Sequence, residues 1–441
     1  MSKMKIAELL RKGESVHLIG VLGAGMLPLA RLLIRLGYRV SGSDLRMPER
    51  ELPPKLEFWQ GHAEERLLGT SLCVFSLAVP DDDAELSFAH EHGIKCISRP
   101  ELLGALVSSF PISIAVAGSH GKSTVTAMLS TVLRSLSPTV LCGADIGEDG
   151  FVAGEGEILI YEACEYRDAF LSTTPTFAVL LNLELDHTDY FADISALEAS
   201  FSRFAASARR IVFCADDERL SRICRGNSVS FGRCESSDYL CMPKRGGLCV
   251  LRHGLPMGCA EMSVLGDFNL INATAAVAVA SELGLSFDEI SDAIESFHGI
   301  PRRLERLGSL RGAPVLYDYA HHPTEIAAGI SAIRAFYSGP VTIVFRPHTY
   351  TRTRSLEAGF IEALSMADRV ILLDVFAARE PSIDGVSSMS LAAKIGPAAR
   401  YAATQSEAAD MIISEAEGAV ILMGAGEIIE LKEKIEKNLD K

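Results

Sequence analysis

The chain of 441 residues has no apolar run near the ~20 residues that a membrane-spanning helix needs. Its first residues include an acid and lack the apolar core of a signal peptide. It also has no lysine- or arginine-rich run, and 42 basic residues against 57 acidic ones give a formal net charge of −15. Nucleic-acid-binding domains carry a basic footprint that this chain lacks. The sequence therefore predicts a cytoplasmic protein that acts on small molecules, without a membrane or nucleic acid as partner.

The ten cysteines include no C-x-x-C pair, which is the spacing typical of zinc ribbons and redox-active dithiols. They are scattered along the chain between Cys73 and Cys259. We expect reduced and mostly buried thiols, with a structural metal site among the cysteines from Cys214 to Cys259 as the alternative.

What the sequence does contain is an alternation of apolar, strand-like runs with helical patterns along almost its whole length. This alternation predicts an α/β fold with parallel sheets and crossover helices, and 441 residues exceed one ordinary core. One boundary is expected before Pro111, and another where a helical pattern ends at Gly299 and Pro301. The predicted domains are therefore residues 1–108, 109–299 and 300–441.

A glycine loop follows the apolar strand pattern at Ile114–Ala117 and leads into a helical pattern. Its sequence, Gly118 to Thr124, ends in Gly-Lys-Ser-Thr but lacks the first glycine of a strict Walker A motif, because position 116 is valine. Glycines let backbone N–H groups face an anion, while the lysine and a hydroxyl can reach phosphates and Mg²⁺. The pattern predicts a nucleotide phosphate site; a glycine turn with an exposed lysine is the alternative.

A second glycine turn follows the strand pattern at Val16–Gly20 and precedes a strand that ends in Asp44. This layout is typical of a site for a nucleotide diphosphate at a helix N-terminus, with the acid near a ribose. Pro28 stands where a dinucleotide fingerprint has its third glycine, so the NAD(P) pattern is incomplete. Three interpretations stay open, namely NAD(P), another nucleotide diphosphate, and a structural turn.

Two further strand patterns in the middle of the chain end in polar residues, Glu162 and His187. Since the carboxyl ends of parallel strands meet at one crevice, both side chains should face the phosphate loop. Hydroxyl, carboxylate and neutral imidazole groups suit Mg²⁺ in a shell completed by phosphates and water. The sequence thus predicts a metal site, although each residue could instead serve a turn or the surface.

Asn269 and Asn272 lie three residues apart in a helical pattern, so their amides share one face and could contact an adenine edge. Asn269 could instead cap that helix. In the last third of the chain, Arg303, Arg352 and Arg354 could clamp anions if this region closes over the middle domain. Solvated loop arginines are the alternative.

Together these motifs resemble those of the Mur ligases of peptidoglycan synthesis. Two runs, Asp318 to Glu325 and Pro347 to Thr353, are specific to the alanine-adding branch and its tripeptide-recycling relative. No lysine occurs between Lys122 and Lys244, whereas later amino-acid-adding members place a carbamylated lysine in that interval. The matching segments are Gly20 to Met26, Ser41 to Asp44, Gly118 to Thr124, Glu162 to Phe170, Asn182 to His187, Gly266 to Asn272, Arg302 to Glu305, Asp318 to Glu325, Pro347 to Arg354 and Met423 to Glu427.

The resemblance implies three α/β domains: a Rossmann-like UDP-binding domain, a P-loop-type central ATPase domain with a parallel sheet, and a Rossmann-like C-terminal domain. It implies the substrates UDP-N-acetylmuramate and L-alanine, the cofactors ATP and Mg²⁺, and a monomer or weak homodimer. The sugar carboxylate would attack the γ-phosphate of ATP, and the alanine amine would then attack the acyl phosphate. Tripeptide recycling is the first alternative, and an NAD-binding oxidoreductase and a non-catalytic nucleotide sensor are more distant ones.

The resemblance also implies a role for each matching residue. The catalytic residues would be Lys122, His348 as a general base, and Arg352. Departures from the family pattern are Cys164 for an aspartate, Thr349 for an arginine and Leu22 for a glycine. Implied ligands of ATP are Gly118, Ser119, His120, Gly121, Lys122, Ser123, Thr124, Asn272, Arg303 and Asp318; of the metal, Ser123, Glu162 and His187; and of the substrates, Gly20, Gly23, Ala24, Gly25, Met26, Asp44, His348, Arg352 and Arg354.

Overall fold

The computed structural model of the chain describes residues 5–188, 190–378, 380–425 and 428–440. Three sheets follow one another along the chain, as an α/β protein with several domains requires. Among the described residues, no helix combines the length and the apolar composition needed to cross a bilayer.

The first sheet has the strand order β3-β2-β1-β4-β5 and pairs its strands in parallel. Strands β2 and β3 lie on one side of β1, and β4 and β5 lie on the other. The strand order thus reverses beside β1, and a crevice opens there at the carboxyl ends of the strands. The strands are β1 Ser15–Ile19, β2 Arg39–Asp44, β3 Leu56–Gln60, β4 Leu72–Phe75 and β5 Lys95–Ser98, and the helices are α1 Ile6–Leu9, α2 Leu27–Arg35, α3 Ala84–Glu91 and α4 Arg99–Val107.

The central sheet has the order β15-β14-β13-β12-β11-β10-β6-β9-β7-β8. Its middle is parallel, whereas β13-β14-β15 and β7-β8 pair antiparallel at the two ends. The strands are β6 Ile112–Ala117, β7 Thr139–Leu141, β8 Phe151–Val152, β9 Ile158–Glu162, β10 Phe177–Leu180, β11 Arg210–Cys214, β12 Ser228–Gly232, β13 Tyr239–Lys244, β14 Gly247–Arg252 and β15 Leu255–Glu261. The helices are α5 Lys122–Val132, α6 Ile194–Ser207, α7 Glu218–Ile223, α8 Asp267–Glu282 and α9 Phe287–Glu295.

The C-terminal sheet has the order β16-β17-β21-β18-β19-β20, with β16 antiparallel to β17 and the other pairs parallel. Its strands are β16 Glu305–Leu310, β17 Ala313–Asp318, β18 Val341–Phe345, β19 Arg369–Leu372, β20 Ala399–Tyr401 and β21 Ala419–Met423. Its helices are α10 Pro323–Phe336, α11 Tyr350–Ser355, α12 Glu357–Leu364, α13 Ser388–Ile395, α14 Gln405–Glu415 and α15 Ile429–Glu436.

The interior strands are largely apolar because helices cover the faces of the parallel sheets. Every residue of β10, β18 and β21 is buried. In the central domain, α8 is rich in alanine and valine and packs against α5 and β11–β13. The predicted α/β fold with parallel sheets is confirmed, and the antiparallel strands lie at sheet edges.

Ion pairs connect the first domain to the segment around β8 in the central domain. Arg31 contacts Asp149 at 2.5 Å, and Arg50 contacts Asp145 at 2.5 Å. The first and central domains also share a continuous hydrophobic core. The glycine turn of the first sheet therefore lies against the central domain.

The expectation of reduced thiols is wrong for one pair of cysteines. Cys249 and Cys259 lie directly opposite each other on β14 and β15 and form a disulfide. The sequence conceals this pair because an antiparallel register, rather than a short motif, brings the two residues together. Among the described residues, the compact groups of potential metal ligands include no cysteine, so the alternative of a metal site between Cys214 and Cys259 gains no support.

Candidate active site

The phosphate loop requires glycine at two positions. Gly118 has φ +147°, and a Cβ there would lie 3.0 Å from the Cβ of Leu181. Gly121 has φ +84°, and its Cβ would meet Oδ1 of Asn272 at 3.0 Å. Both positive φ angles and both close approaches favour a residue without a side chain.

The loop backbone is fixed by the segment that follows β10. Asn182 accepts a hydrogen bond from the His120 N–H at 2.8 Å and donates one to the His120 carbonyl at 3.0 Å. The Ser119 hydroxyl donates to the Glu184 carbonyl at 2.7 Å. The shape of the loop is thus set before any anion binds.

Helix α5 begins at Lys122, with Gly121 as its N-cap and no side-chain cap. The uncapped first turn leaves backbone N–H groups and the positive end of the helix dipole at the loop, which suits phosphate. Ser123 and Thr124 lie in this turn and are mostly buried.

Lys122 is held in the loop by a carboxylate. Its Nζ donates to both Glu165 carboxylate oxygens, at 3.1 and 3.0 Å, and to the Gly118 carbonyl. Burial alone would lower the pKa of Lys122, but the attraction of Glu165 outweighs it and raises the pKa above the usual value. The lysine therefore stays charged next to the phosphate site.

The glycine turn of the first domain is built around Asp44. Its Oδ2 accepts a hydrogen bond from the Leu22 N–H at 3.1 Å, so it closes the turn. Gly20, at φ +76°, starts the turn, and Pro28 lies at the beginning of α2, where a missing N–H costs nothing. The position of Pro28 thus fits a helix start without the third glycine of a dinucleotide fingerprint.

Glu162 ends β9 and His187 follows β10, as the sequence predicts. Glu162 Oε1 accepts hydrogen bonds from the Gly143 N–H at 2.9 Å and the Cys142 thiol at 2.8 Å. His187 has φ +53°, its ring packs on Tyr166 at 4.8 Å, and its Nε2 lies 3.8 Å from Glu165. Both residues line the same cavity.

The donor set of Ser123, Glu162 and His187 fits Mg²⁺. It offers a hydroxyl, a carboxylate and an imidazole, and the second oxygen of Glu162 has no protein donor among the hydrogen bonds of the described residues. Within the same described residues, the compact three-ligand groups lie elsewhere, at His120, Glu184 and His322 and at His62, Asp83 and Glu85. Phosphate oxygens and water would therefore have to complete a magnesium shell at Glu162 and His187.

Arg352 of the C-terminal domain pairs with Asp186 of the central domain. Its Nη2 contacts the two carboxylate oxygens at 2.8 and 3.1 Å, and both side chains are largely buried. Attraction to Arg352 and His187 holds the pKa of Asp186 below its usual range, although burial opposes this shift. The pair therefore fixes Arg352 at the boundary between the two domains.

His348 lies beside Arg352 and is neutral. Burial, and then the nearby Arg352 and His321, lower its pKa to about 4. Arginine carries only donors, so the 3.3 Å contact from Arg352 Nη1 makes His348 Nδ1 an acceptor and leaves the proton on Nε2. In this arrangement His348 has no free lone pair, which argues against the predicted role as general base.

Arg354 departs from the predicted site. It is exposed on α11 and does not line the cavity that Arg352 lines. Two residues along a helix point about 200° apart, so the two arginines cannot share one face. The expectation that Arg354 surrounds the acceptor is therefore not supported by its position.

One cavity of about 1030 Å³ joins residues from the three domains. The first domain contributes its glycine turn, and the central domain contributes the end of β9 and the segment that follows β10. The C-terminal domain contributes the segment around α11. The predicted residues that line it are Gly23, Ala24, Gly25, Met26, Glu162, His187, His348 and Arg352.

A second cavity of about 530 Å³ lies next to the phosphate loop, because Leu181 and Asn272 of its lining approach Gly121. It is lined by Asn272, Phe268 and Ile271 of α8 and by Asn182. Asn272 donates to Oδ1 of Asn269, and Asn269 donates to the Leu265 carbonyl. Asn269 is therefore not the N-cap, which is Gly266. The same space is also lined by four charged residues, Asp216, Asp217, Glu218 and Arg219, so it combines apolar walls that suit a planar base with groups that can bind polar substituents.

Arg303 and Asp318 lie close together in the C-terminal domain. Asp318 ends β17 and is buried, with Oδ1 accepting from the Ala320 N–H at 2.9 Å. Burial raises the pKa of Asp318 to about 7, against the opposing effect of Arg303. Arg303 stacks over Tyr319, with its guanidinium carbon 5.3 Å from the ring centre, and its Nη1 lies 3.9 Å from Glu325.

The residues that sequence reasoning passed over are the carboxylates that hold the cations. Glu165 holds Lys122, Asp186 holds Arg352, and Glu325 faces His120 and Arg303. All three lie inside the motif segments, so the sequence motifs already contained the information needed to select them. Of the Met423 to Glu427 segment, Gly426 and Glu427 lie outside the described residues.

Models of three protein domains match the chain in sequence. "Mur ligase family, catalytic domain" matches residues 15–111. "Mur ligase middle domain" matches residues 116–280. "Mur ligase, glutamate ligase domain" matches residues 302–426. Each match falls on one of the three sheets.

Similar proteins match nearly the whole chain. A UDP-N-acetylmuramate--L-alanine ligase of Caldicellulosiruptor saccharolyticus is 36% identical over 435 residues, which is 93% of this chain and 96% of the relative. The crystal structure of a UDP-N-acetylmuramate-alanine ligase from Thermotoga maritima superposes with a TM-score of 0.79 at 23% identity, covering 96% of this chain and 98% of the other. A murein peptide ligase from Psychrobacter arcticus gives 0.69 at 21% identity, covering 97% and 100%.

Proposed function

This chain belongs to the Mur ligase family, and we propose that it joins L-alanine to the carboxylate of UDP-N-acetylmuramate with ATP as the energy source. The reaction is an ATP-dependent amide ligation. The sugar carboxylate attacks the γ-phosphate and releases ADP, and the alanine amine then attacks the acyl phosphate and releases inorganic phosphate. In this second step the bond between the carbonyl carbon and the phosphate oxygen breaks as the amide bond forms.

The observation that carries this proposal is a cavity that residues of all three domains line together. Such a ligation must bring a nucleotide sugar, a transferable phosphate and an amino acid to one place, and proximity supplies much of its catalysis. The cavity is lined by the glycine turn of the first domain, by Glu162 and His187, and by Arg352. The phosphate loop does not line it but adjoins it through Glu165, which contacts both Lys122 and His187. We propose domain boundaries near residues 108 and 299, which fall between the three sheets.

In the proposed mechanism the phosphate loop binds ATP through its backbone, and Lys122 neutralises the transferring phosphoryl group. Ser123, Glu162 and His187 would hold Mg²⁺, which when bound neutralises further phosphate charge. Lys122 must turn from Glu165 toward the phosphates, and the buried ion pair keeps it charged until then. Arg303 of the C-terminal domain would add a second cation.

We propose that the remaining part of ATP occupies the second cavity. Asn272 would contact the adenine, and Asp318 the ribose. The first domain would bind the UDP diphosphate at the turn from Gly20 to Met26. There Asp44 accepts a hydrogen bond from the Leu22 N–H and holds the turn. Asp44 would therefore affect substrate binding through the shape of the turn rather than through a contact of its own.

For the amino acid, Arg352 would bind the carboxylate while Asp186 orients its guanidinium group. His348, with its proton on Nε2, would donate a hydrogen bond rather than remove a proton. The amine must then lose its proton to another acceptor near the cavity. Asp186, a carboxylate that lines the same cavity, is the acceptor that we propose.

Tripeptide recycling and nicotinamide chemistry are less well supported. The curated relative named above is an alanine ligase, and the superposition on the murein peptide ligase has the lower TM-score. The first glycine turn lacks the third fingerprint glycine, which disfavours NAD. A nucleotide sensor would not need residues of three domains around one cavity.

The test is phosphate release from ATP with UDP-N-acetylmuramate, measured with and without L-alanine. We expect release to depend on both substrates, and Lys122→Ala to reduce it by at least about a hundredfold, since the lysine stabilises phosphoryl charge. Lys437→Ala, at an exposed position in the C-terminal region, is the matched control and should behave as wild type. Release that ignores the sugar nucleotide, or a preference for the tripeptide over L-alanine, would overturn the proposal.

A further inference from the structure

His120, in the middle of the phosphate loop, contacts two carboxylates from two domains. Its Nε2 lies 2.9 Å from Glu184 in the central domain, and its Nδ1 lies 3.1 Å from Glu325 in the C-terminal domain. Carboxylates at neutral pH only accept hydrogen bonds, so both ring nitrogens must donate. His120 in this arrangement is therefore an imidazolium, and charge-assisted hydrogen bonds of this kind are the stronger ones.

Glu325 is shared between the start of its own helix and these cations. Its Oε2 accepts from the backbone N–H groups of His321 at 3.0 Å and His322 at 3.3 Å, which completes the capping box of α10. Its Oε1 faces His120 and lies 3.9 Å from Nη1 of Arg303. One buried carboxylate thus connects the phosphate loop, the helix N-terminus and Arg303.

Glu184 makes the matching connection from the central domain. Its Oε1 accepts from the Thr324 hydroxyl of α10 at 2.6 Å, while Oε2 accepts from His120. The His322 ring, at 4.9 Å from the His120 ring, fills the space beside them. Burial lowers the pKa of His322, so this neighbour is neutral. The ionised groups that face His120 are therefore the two carboxylates, with Arg303 behind Glu325.

The loop does not need this side chain for its own shape. The amide of Asn182 holds the backbone of His120 on both sides, independently of the imidazole. Of the two carboxylates that the ring contacts, Glu184 belongs to the same domain as the loop, whereas Glu325 belongs to the C-terminal domain. A charged ring that lies between one carboxylate of each domain is suited to control how the two domains dock.

We propose that His120 is a positioning residue whose imidazolium fastens α10 of the C-terminal domain to the phosphate loop and so places Arg303 at the transferring phosphate. The idea rests on the proposed function for what Arg303 does, but the domain contact is independent of it. Loss of the contact should leave each substrate site intact and impair their assembly.

The first experiment compares His120→Gln with the wild type. We expect kcat to fall roughly tenfold or more, because misplacement of a catalytic group by about 1 Å is enough for such a loss. The KM for UDP-N-acetylmuramate and the Kd for ADP should change less than about threefold, since the first domain and the loop backbone are unaltered. His90→Gln, on an exposed helix position of the first domain, is the matched control.

The second experiment measures docking without turnover, by small-angle X-ray scattering with a non-hydrolysable ATP analogue and UDP-N-acetylmuramate. The radius of gyration should be larger for His120→Gln than for the wild type and His90→Gln. The difference in radius of gyration does not depend on which amino acid the enzyme uses. It therefore separates failure of this inference from failure of the proposed reaction.

Glu325→Gln approaches the same contact from the other domain. If the two residues act together, the double variant should be no slower than the slower single variant, because the contact is already lost. Multiplicative losses in kcat would overturn the inference. A radius of gyration of His120→Gln equal to that of the wild type would overturn it too. So would a rise in the Kd for ADP that is large enough to explain the whole loss of activity in His120→Gln.

Discussion

At the scale of residues, the cations of the candidate site are held by carboxylates. Lys122 rests on Glu165 and Arg352 on Asp186, at distances of 3.0 and 2.8 Å. A largely buried cation without a partner is costly, so each carboxylate keeps its cation ordered before substrates arrive. The substrates then bind cations that are already ordered rather than ordering free side chains.

Asp186→Asn tests this idea. The amide keeps one acceptor but removes the charge, so Arg352 loses its two-oxygen partner and part of its orientation. We expect the KM for L-alanine to rise roughly tenfold and the free energy of unfolding to fall by about 1–3 kcal/mol. Initial rates and urea unfolding measure the two effects.

Asp288→Asn, at an exposed position in α9, serves as the control for the aspartate change. It should leave the KM for L-alanine unaltered. An unchanged KM in Asp186→Asn would mean that the pair has no part in binding the amino acid.

At the scale of elements, the phosphate site depends on how β6, the loop and α5 join. The strand ends at Ala117 and the helix begins at Lys122, so the connection is short. Asn272 of α8 and the segment after β10 restrict it from outside. The free N-terminus of α5 is therefore presented in a fixed direction.

Gly121→Ala should damage this connection specifically. The left-handed φ of +84° costs a non-glycine residue about 1–2 kcal/mol, and the new Cβ would lie 3.0 Å from Asn272. We expect the affinity for ADP to fall by roughly tenfold or more, measured by calorimetry, with the affinity for UDP-N-acetylmuramate unchanged.

Gly284→Ala separates backbone strain from the local collision. Gly284 has φ +91°, and a Cβ added there would meet nothing within 4 Å, so this variant carries the same kind of strain in open space. It should lose comparable stability while keeping its affinity for ADP. Equal effects of both variants on ADP binding would show that the collision with Asn272 is not what weakens the site.

At the scale of the whole molecule, charged contacts join domains that do not share one sheet. Arg31 and Arg50 connect the first domain to the central one, and His120 and Arg352 connect the central domain to the C-terminal one. Among these, His120 titrates nearest to neutral pH. Burial alone would lower its pKa, but hydrogen bonds to Glu184 and Glu325 outweigh burial and raise the pKa to about 9.

This shift makes the C-terminal contact depend on pH in a defined direction. The raised pKa means that the imidazolium stabilises the folded state fully below about pH 6.5, and that this stabilisation is lost as the pH rises through about 9. The difference in thermal midpoint between wild type and His120→Gln should therefore be constant near pH 6 and shrink between about pH 7 and 9. A difference that persists unchanged at about pH 10 would contradict the assignment.

Much of this arrangement could be predicted from the sequence because it is local. The Gly118 to Thr124 loop, the turn from Gly20, the polar end of β9 and the polar segment after β10 are all contiguous motifs. Their positions after apolar strands predicted an α/β fold with several domains, which the structure confirms. Pairings across the chain left no such signal: the Cys249–Cys259 disulfide depends on a strand register, and the exposed position of Arg354 depends on the helical phase of α11.

The sequence by itself determined the fold class, the phosphate loop and the residues that belong to the family motifs, since backbone conformation and strand-to-helix order follow from nearby residues. The tertiary structure alone decided which charges meet. Asp186 and Arg352 are 166 residues apart, and His120 and Glu325 are 205 apart. Only the docking of the domains brings such groups within hydrogen-bond distance, and that docking, through burial and charge, sets the protonation of His120 and His348.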